Sequence, residues 1–252
     1  MDTKLDLPET LKEIYKHRKT KDLDGNVLVL HSEISEEEAK MLMKMVQDSE
    51  AKITLETGVA YGTSTMAICH ASRALNGTSG MHYGVDPNQM TEYGGSAIAS
   101  LKNEGLEKNF QLLEGPSHLM LPKLVEEGIV LDCAFVDGWH TFDYTLIDFF
   151  LIDKMLKPGG YVAFHDMYGV AKQKVLKFIL THRKYKIMKE FKVKGNESFL
   201  RTLKFFAWRM YKYPRLLFSW YHWNYQFSNS SGLIVLKKME IFEPNYNFYK
   251  HF

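Results

Sequence analysis

The sequence predicts an α/β protein in which strands of a sheet alternate with helices along the chain. Residues 53–64, with the sequence ITLETGVAYGTS, indicate a short strand, a glycine turn and the start of a helix. Residues 131–137 are almost wholly apolar, as expected for a central strand covered on both faces. Apolar residues at helical spacing follow both segments. These three patterns together favour a sheet with helices packed against it.

The glycine turn is the most informative stretch for function. Gly58 and Gly62 permit a close approach of backbone to a ligand, and Thr63 and Ser64 are suitable N-cap residues for the helix that follows. Unpaired N–H groups at such a helix start favour an anionic group of a nucleotide-like ligand. The dinucleotide fingerprint G-x-G-x-x-G is absent, which disfavours a nicotinamide-dependent oxidoreductase. An ordinary tight turn in another α/β protein is the alternative.

The spacing Glu56-x-Gly58-x-x-x-Gly62-x-Ser64 resembles motif I of the class I S-adenosylmethionine-dependent methyltransferases. It is most similar to the small O-methyltransferases related to catechol and caffeoyl-CoA O-methyltransferase. The resemblance covers roughly residues 35–193 and the final strand. It implies a Rossmann-like fold with a seven-stranded mixed sheet, an antiparallel last strand and helices on both faces. It also implies S-adenosylmethionine as cofactor, with Glu56 among its contacts and Gly58, Gly62 and Ser64 at its methionine end.

Length and composition set the broad class. We expect one domain over residues 1–252, with an N-terminal helical cap over residues 1–50. The 45% apolar and 25% charged content is ordinary for a globular protein, and the net charge of +2 does not indicate a nucleic-acid partner. Cys69 and Cys133 lie in apolar runs, as buried thiols of a reducing compartment do. With no signal-peptide pattern and no membrane-length apolar run, we expect a cytoplasmic protein.

The remaining elements follow in order from local patterns. Caps, among them the capping box at residues 35–38, and apolar residues at helical spacing predict helices over residues 5–19, 35–46, 63–71, 98–104, 119–127, 144–156 and 170–181. Residues 27–30 are a brief apolar run, and local patterns predict strands over residues 53–56, 81–86, 110–114, 131–137, 161–165, 185–193 and 232–237. The resemblance implies that the last two strands pair antiparallel at the sheet edge. The Lys-Pro-Gly-Gly run at residues 157–160 is expected to close the preceding helix.

Two further positions are candidate cofactor contacts. Asp86 ends a predicted strand, where an acid in nucleotide-binding α/β folds accepts hydrogen bonds from ribose hydroxyls. The alternative is that Asp86 only starts the turn Asp86-Pro87-Asn88. Ser117 and His118 follow the next strand, and the resemblance implies that they contact the adenine.

Asp137 and Asp166 end two strands that should be neighbours, and neighbouring strands lie about 4.8 Å apart. Two carboxylates at that distance favour a hard ion such as Mg²⁺, with Ca²⁺ or Mn²⁺ as alternatives. Such an ion would chelate a substrate diol and lower the pKa of the hydroxyl. The resemblance adds His165, which stands where the catechol enzymes carry an acid, and implies that Asp137 also receives the methionine amino group. Alternatively, Asp166 only caps the following turn.

His140 is the candidate general base. It lies three residues after Asp137, where the catechol enzymes carry a catalytic lysine, and an imidazole of near-neutral pKa can accept a hydroxyl proton. The alternative is a surface histidine beside the helix that starts near Thr141. Trp139 matches a tryptophan that packs on the cofactor in the relatives. Asp137 and His140 are therefore the predicted catalytic residues.

These residues predict methyl transfer from S-adenosylmethionine to a small hydroxylated acceptor, with N-methylation as an open variant. A nicotinamide-dependent oxidoreductase is one rival function. A cofactor-binding but catalytically idle interaction module is another, and the retained Asp137, His140 and Asp166 argue against it.

Residues 194–231 form an insertion before the last strand in which aromatic and basic residues alternate, with Glu197 the only acid. So much aromatic surface is not expected to stay in water on a monomer. Three surfaces are candidates to cover it: the sheet edge of its own chain, a second copy of the chain, and an anionic membrane. We rank self-association first and membrane contact last, and so expect a homo-oligomer. The tail, residues 241–252, is expected to be irregular.

Overall fold

The computed structural model describes residues 5–193, 204, 207–208, 211–212 and 232–252. Its strands are β1 (Lys19–Lys21), β2 (Val27–Val29), β3 (Ile53–Thr57), β4 (Met81–Asp86), β5 (Phe110–Glu114), β6 (Leu131–Val136), β7 (Leu156–Phe164), β8 (Tyr185–Ile187) and β9 (Ile234–Lys238). Its α-helices are α1 (Glu9–His17), α2 (Glu36–Asp48), α3 (Thr63–Asn76), α4 (Ser96–Asn103), α5 (Ser117–Glu126), α6 (Phe142–Met155) and α7 (Val170–His182). Most of the predicted insertion lies outside the described residues.

Seven strands form the main sheet, in the order β5-β4-β3-β6-β7-β9-β8, and β1 pairs with β2 in a separate hairpin. Strand β9 runs antiparallel to both of its neighbours, while β3, β4, β5, β6 and β7 are joined by parallel pairs. The predicted mixed sheet with an antiparallel last strand is therefore confirmed. The chain leaves β3 toward one edge and returns to β6 on the other side, which makes the β3–β6 boundary the topological switch point.

Apolar side chains fill the space on both faces of the sheet. Alternate residues of a strand point to opposite faces, so Cys133 and Phe135 of β6 pack with α1, α2 and α3, while Ala134 and Val136 pack with α5, α6 and α7. Every residue of β6 is buried. The predictions of a covered central strand and of helices on both faces are confirmed.

The capping box predicted at the start of α2 is confirmed. Ser35 Oγ accepts a hydrogen bond from the Glu38 backbone N–H at 3.3 Å, and Glu38 Oε2 accepts one from the Ser35 N–H at 2.8 Å. Both bonds satisfy backbone donors that the first turn of a helix leaves unpaired.

The Lys-Pro-Gly-Gly run differs from its prediction. Helix α6 already ends at Met155, and residues 157–160 lie inside β7. The pairing of β6 with β7 shifts register between Leu131 and Cys133, and Gly159 has a φ of +85°. The run is therefore a bulge in the strand, where glycine tolerates the left-handed backbone.

The predicted strand over residues 185–193 is also shorter in the structure. Pairing stops at Ile187, and residues 189–191 form a single 3₁₀ turn. This turn buries Phe191 against the Tyr161 ring, with ring centroids 5.6 Å apart. Burial of one large aromatic side chain thus ends the strand early. The antiparallel pairing of β8 with β9 at the sheet edge is confirmed.

The tail after β9 contains no helix or strand, as predicted for residues 241–252. It folds back onto α7, where His182 stacks on Phe178 and meets the rings of Phe248 and Phe252 edge-on. Within the described part of the chain, no helix combines the length and apolar character needed to cross a membrane.

Candidate active site

The two glycines of the turn after β3 are required by close packing. Gly58 and Gly62 have φ values of +85° and +82°. A Cβ atom at Gly58 would lie 2.3 Å from the Asp137 carbonyl oxygen, and one at Gly62 would lie 2.5 Å from the Ala97 Cβ. The turn is therefore locked against the end of β6 on one side and against α4 on the other.

The acid of the motif supports this turn from below. Glu56 is completely buried, and its carboxylate accepts hydrogen bonds from Ser64 Oγ at 2.6 Å and from Thr65 Oγ1. The N-cap of α3 is Gly62, not Thr63 or Ser64 as predicted, because the Ser64 hydroxyl is committed to Glu56. The side chains of Glu56 and Ser64 therefore support the turn, while the backbone N–H of Ser64 is among the first N–H groups of α3.

The start of α3 has no side-chain cap, so its first N–H groups face the end of the sheet. Two buried oxygens below Gly138, Thr57 Oγ1 and Asp148 Oδ1, make no hydrogen bond of good geometry among the described residues, although Ser117 and Thr57 lie near enough to the Asp148 carboxyl to act against the effect of burial on its pKa. A Cβ atom at Gly138 would stand 3.3 Å from Asp148 Oδ2 and 3.3 Å from Thr57 Oγ1. Burial raises the pKa of Asp148. Unpaired polar groups at a switch point fit a polar ligand that supplies the missing partners.

Asp86 ends β4, as predicted, and faces the glycine turn. Its Oδ2 accepts the backbone N–H groups of Val59 at 2.9 Å and Ala60 at 2.8 Å, and its Oδ1 accepts that of Asn88 at 2.8 Å. A carboxylate has about four lone-pair sites, so a ribose hydroxyl would have to donate to a lone pair that these three hydrogen bonds leave open.

A group of aromatic rings lies in the segments that follow β5 and β6. Ser117 is the first residue of α5, and the exposed His118 meets the Tyr144 ring edge-on at 5.7 Å. The Trp139 ring lies 6.4 Å from Tyr144 and is 66% exposed. An indole this exposed fits a surface on which a planar ligand stacks. The sequence pattern assigned no site role to Tyr144, which lies in the first turn of α6, ahead of the buried Phe149 and Ile152.

The predicted acid–base residues meet at the ends of β6 and β7, which are parallel neighbours as expected. Asp137, His140 and Asp166 each offer a polar atom, and these atoms all lie within 4.8 Å of one another. Asp166 has a φ of +53°, a strained conformation for a residue with a side chain, and accepts a hydrogen bond from the Tyr168 hydroxyl. The sheet thus brings together side chains from separate loops.

His165 is enclosed by carboxylates. Its Nδ1 lies 3.1 Å from Asp137 Oδ1, and its Nε2 lies 3.2 Å from Glu38 Oε1, which reaches across from α2. Burial works to lower the pKa of His165, but the charges and hydrogen bonds of Asp137 and Glu38 outweigh it and raise the pKa well above the ordinary value. His165 is therefore an imidazolium.

A buried lysine completes the cluster. Lys172 of α7 is 2% exposed, and its Nζ donates to the His165 carbonyl oxygen at 2.9 Å and lies 4.0 Å from Asp137 Oδ1. Burial lowers the pKa of Lys172, while Asp137, Asp166 and Asp148 act to raise it. One sequence signal could have found it, because Lys172 shares the inward face of α7 with Val175, Leu176 and Ile179. A lysine on that face is unusual.

His140 lies at the outer side of the same group. Its side chain is 55% exposed, and its Nε2 is 3.6 Å from Asp166 Oδ2. Burial of the ring and the nearby Lys172 charge lower the pKa of His140 below 6.5. The imidazole is therefore neutral at pH 7 and holds a lone pair that can accept a proton.

A cleft of about 420 Å³ opens beside these groups. The end of β7 forms one wall with His165, Asp166 and Tyr168. The segment before β3 forms the other, with Tyr15, Arg18, Glu33, Ile34, Ser35 and Glu38. The N-terminal helices therefore border the candidate site in addition to packing on the sheet.

Comparison with known proteins identifies the fold and the domain. Residues 55–167 match the family model described as a methyltransferase domain. This stretch of the chain is similar to a methyltransferase domain. No curated protein matches the chain by sequence.

Solved structures agree with the domain match. An O-methyltransferase from Bacillus cereus in complex with SAH superposes with a TM-score of 0.65 at 14% identity, over 94% of each chain. An O-methyltransferase from Streptomyces achromogenes involved in tomaymycin synthesis, in complex with SAM, gives 0.63 at 16% identity over 93% of this chain and 92% of its own. A SAH-bound methyltransferase from Podospora anserina gives 0.58 at 16% identity, over 74% and 85%. The predicted class I methyltransferase fold is confirmed.

The metal set predicted from the sequence, Asp137, Asp166 and His165, has one member that is a poor ligand for a divalent ion. Its third member, His165, uses both ring nitrogens as donors to carboxylates and has no lone pair left for a metal. Asp137, His140 and Asp166 are a second group that could hold an ion, and a His140 bound to that ion would not be free to serve as the base. The Lys172 ammonium, 4.0 Å from Asp137, adds a fixed cation beside the same carboxylate. No chemical step is therefore assigned to a metal.

Proposed function

We propose that the chain transfers a methyl group from S-adenosylmethionine to a hydroxyl oxygen of a small acceptor, with His140 as the general base. The observation that carries the proposal is the meeting of Asp137, His140 and Asp166 within 4.8 Å, at the end of the sheet beside the glycine turn. A base next to the open start of α3 is the arrangement that an acceptor hydroxyl and a methyl donor both need.

The cofactor contacts are part of the proposal. Gly58 and Gly62 lie where the methionine end would pass, and the carboxylate of Asp137 would receive its amino group. Asp86 would accept a ribose hydroxyl through its remaining lone pairs. The surface of Ser117, His118 and Trp139 would hold the adenine, and the open N–H groups of α3 and the unpaired Thr57 Oγ1 and Asp148 Oδ1 support a polar ligand here.

S-adenosylmethionine supplies an activated methyl group, so its S–C bond breaks as the new O–C bond forms and S-adenosylhomocysteine leaves. The protein has to align the acceptor oxygen behind the methyl group and remove its proton. Alignment alone contributes about 7–11 kcal/mol in favourable cases. His140 Nε2 takes the hydroxyl proton as the oxygen attacks, because the low pKa of the ring keeps it unprotonated at pH 7.

The acceptor is proposed to bind in the cleft between the N-terminal segment and β7. Tyr15 and Tyr168 line opposite walls, and Asp166 lies at the side that faces His140. A cleft of about 420 Å³ takes a small molecule. Oxygen remains the proposed methylated atom because a neutral base is needed for a hydroxyl and not for an amine.

The sequence also predicted a divalent cation such as Mg²⁺, and the cations already beside Asp137 argue against it.

A single domain over residues 1–252 and a cytoplasmic location remain proposals, and the location is supported by two buried free thiols, Cys69 and Cys133. A homo-oligomer formed through residues 194–231 also remains a proposal. The oxidoreductase alternative is not favoured, because the matched domain is a methyltransferase.

Titration calorimetry with S-adenosylhomocysteine tests the cofactor, and release of S-adenosylhomocysteine in the presence of a catechol-type diol tests the reaction. We expect saturable binding of one molecule per chain, weakened by Asp137→Asn. Heat on addition of NADH together with none from S-adenosylhomocysteine would contradict the proposal.

A further inference from the structure

Lys172 lies in a place where a lysine is costly. Its side chain is 2% exposed on the inward face of α7, and an ammonium without partners in such surroundings would lose its hydration. Its one short hydrogen bond goes to a neutral acceptor, the His165 carbonyl oxygen, at 2.9 Å. The carboxylate that balances its charge is Asp137, at 4.0 Å. The lysine therefore fixes a positive charge beneath the residue at the centre of the site.

A second fixed cation faces the same carboxylate. The nitrogens of His165 lie 3.1 Å from Asp137 Oδ1 and 3.2 Å from Glu38 Oε1. Carboxylates only accept hydrogen bonds, so both nitrogens must carry hydrogen and the ring is charged. Asp137 Oδ1 is thus held by the imidazolium and lies within ion-pair distance of Lys172.

The carboxylates of the cluster exceed its cations by one. Glu38, Asp137 and Asp166 face the cations of His165 and Lys172, and His140 adds no charge. Asp148 also faces Lys172, and burial raises the pKa of Asp148, which favours its neutral form. A divalent ion bound to Asp137 would stand a few ångströms from both cations in a partly buried site, where like charges repel strongly. At Asp137 Oδ1 it would also have to displace the hydrogen bond that His165 makes there.

We propose, on the basis of the methyl transfer proposed above, that Lys172 and His165 replace a divalent cation: they hold Asp137 in place by fixed charge, and the enzyme works without metal. Asp137 stays ionised and oriented toward the cofactor, and Lys172 is a positioning residue that acts through it. The neutral His140 is then left to remove the proton alone.

The first experiment measures metal binding directly. Mn²⁺ is titrated into the chelator-treated native protein and followed by electron paramagnetic resonance, with Asp137→Asn as the control. We expect no Mn²⁺ binding that depends on Asp137. The double variant His165→Asp, Lys172→Met removes both cations and adds a carboxylate, and it should gain a Mn²⁺ site. Binding to the native protein that disappears in Asp137→Asn would overturn the inference, as would a double variant that folds and gains no site.

The second experiment tests the role of Lys172 in cofactor binding, again by titration with S-adenosylhomocysteine. Lys172→Met leaves the partly buried Asp137 with one cation fewer, and we expect affinity to fall at least about tenfold. Lys172→Arg keeps the charge and should restore part of the affinity. Lys174→Met, an exposed lysine on the same helix, is the matched control and should leave binding unchanged. Equal affinities for Lys172→Met and Lys174→Met would contradict the positioning role.

The two failures are distinguishable. Absence of S-adenosylhomocysteine binding in the native protein would remove the proposed function, whatever Mn²⁺ does. Binding of S-adenosylhomocysteine that strengthens when Mn²⁺ is restored after chelation would keep the function and remove the metal-free inference. Thermal unfolding by circular dichroism shows whether each variant is folded, and the native Mn²⁺ titration gives its answer even if Lys172→Met is not.

Discussion

Gly58 packs so closely on Asp137 that a Cβ atom there would lie 2.3 Å from the Asp137 carbonyl oxygen. The distance is well inside van der Waals contact, so the glycine turn and the end of β6 can only move together. The cofactor-binding turn and the candidate catalytic loop are therefore one rigid unit.

Gly58→Ala should consequently displace Asp137 and weaken S-adenosylhomocysteine binding by more than about tenfold, a cost of about 1.4 kcal/mol. Gly105→Ala is the matched control, since Gly105 also has a positive φ, of +65°, but has open space around its Cα. Gly105→Ala should lower the unfolding free energy by about 1–2 kcal/mol through backbone strain alone, and Gly58→Ala by more, because its Cβ also clashes with the Asp137 backbone. Titration calorimetry separates them, and an unchanged affinity in Gly58→Ala would show that the two segments move independently.

His140→Ala should lower methyl transfer by roughly 10²–10⁴-fold, the usual contribution of a general base. S-adenosylhomocysteine affinity should hardly change, because His140 faces Asp166 and the cleft side. His17→Ala is a suitable control, as the side chain of His17 in α1 has almost the same exposure, 56% against 55%. Turnover in His140→Ala within a factor of about two of the native protein would make the residue structural.

The pH dependence of turnover should report His140. Burial and the Lys172 charge lower its pKa below 6.5, so the rate should be flat near pH 7 and fall as acid protonates the ring. Lys172→Met removes a repelling cation, which favours the protonated ring and moves this fall to higher pH. The measurement is turnover against pH at saturating cofactor, for each protein. An acid limb at the same pH in both would exclude Lys172 as a cause of the low pKa.

Stability should depend on pH through His165. Its pKa is raised in the folded protein, so its pairing with Glu38 and Asp137 makes its full contribution to the unfolding free energy at pH values below 6.5, the pKa of histidine in the unfolded chain. That contribution is lost as pH rises from there through the folded pKa. His165→Gln should therefore lose most stability near pH 6, and its difference from the native protein should shrink in alkali. Urea unfolding across this range tests the sign, and a difference that grows with pH would contradict it.

The sequence predicted those features that depend on local pattern. The alternation and glycines of β3 and its turn follow from backbone preferences, as does the capping box at Ser35. The cap of α3 was predicted at Thr63 or Ser64 and is at Gly62, because the Ser64 hydroxyl bonds to Glu56 eight positions earlier. A choice between a local and a distant partner is decided by packing, which propensities do not contain.

The same limit applies to the site. Asp137 and Asp166 were predicted together because strand ends of a parallel sheet meet at one edge, and His140 because it lies three residues after Asp137, where the catechol enzymes carry a lysine. Lys172 was not found, and His165 was assigned as a ligand when it is a cation, since both depend on contacts between distant segments. The link from Glu38 to His165 spans 127 positions, and no spacing rule reports it.

The oligomer prediction concerns residues 194–231, of which the structure describes five. Trp208 and Tyr211 are among these and are 52% and 91% exposed. Light scattering on the intact chain should give a mass above that of a monomer, and replacement of residues 194–231 by a short Gly/Ser turn should return it to the monomer mass. A monomeric intact chain, or an oligomer unaffected by the replacement, would refute this.

The carboxylate of Glu38 joins the first turn of α2 to the candidate site. One oxygen closes the first turn of α2, and the other meets His165 at the edge of the sheet. Any event that turns the imidazole away releases that carboxylate, so local fraying of α2 and the state of the site are thermodynamically linked. The rate of amide hydrogen exchange at the start of α2 should therefore change when a ligand binds next to His165. This end of the helix then reports whether the site is occupied.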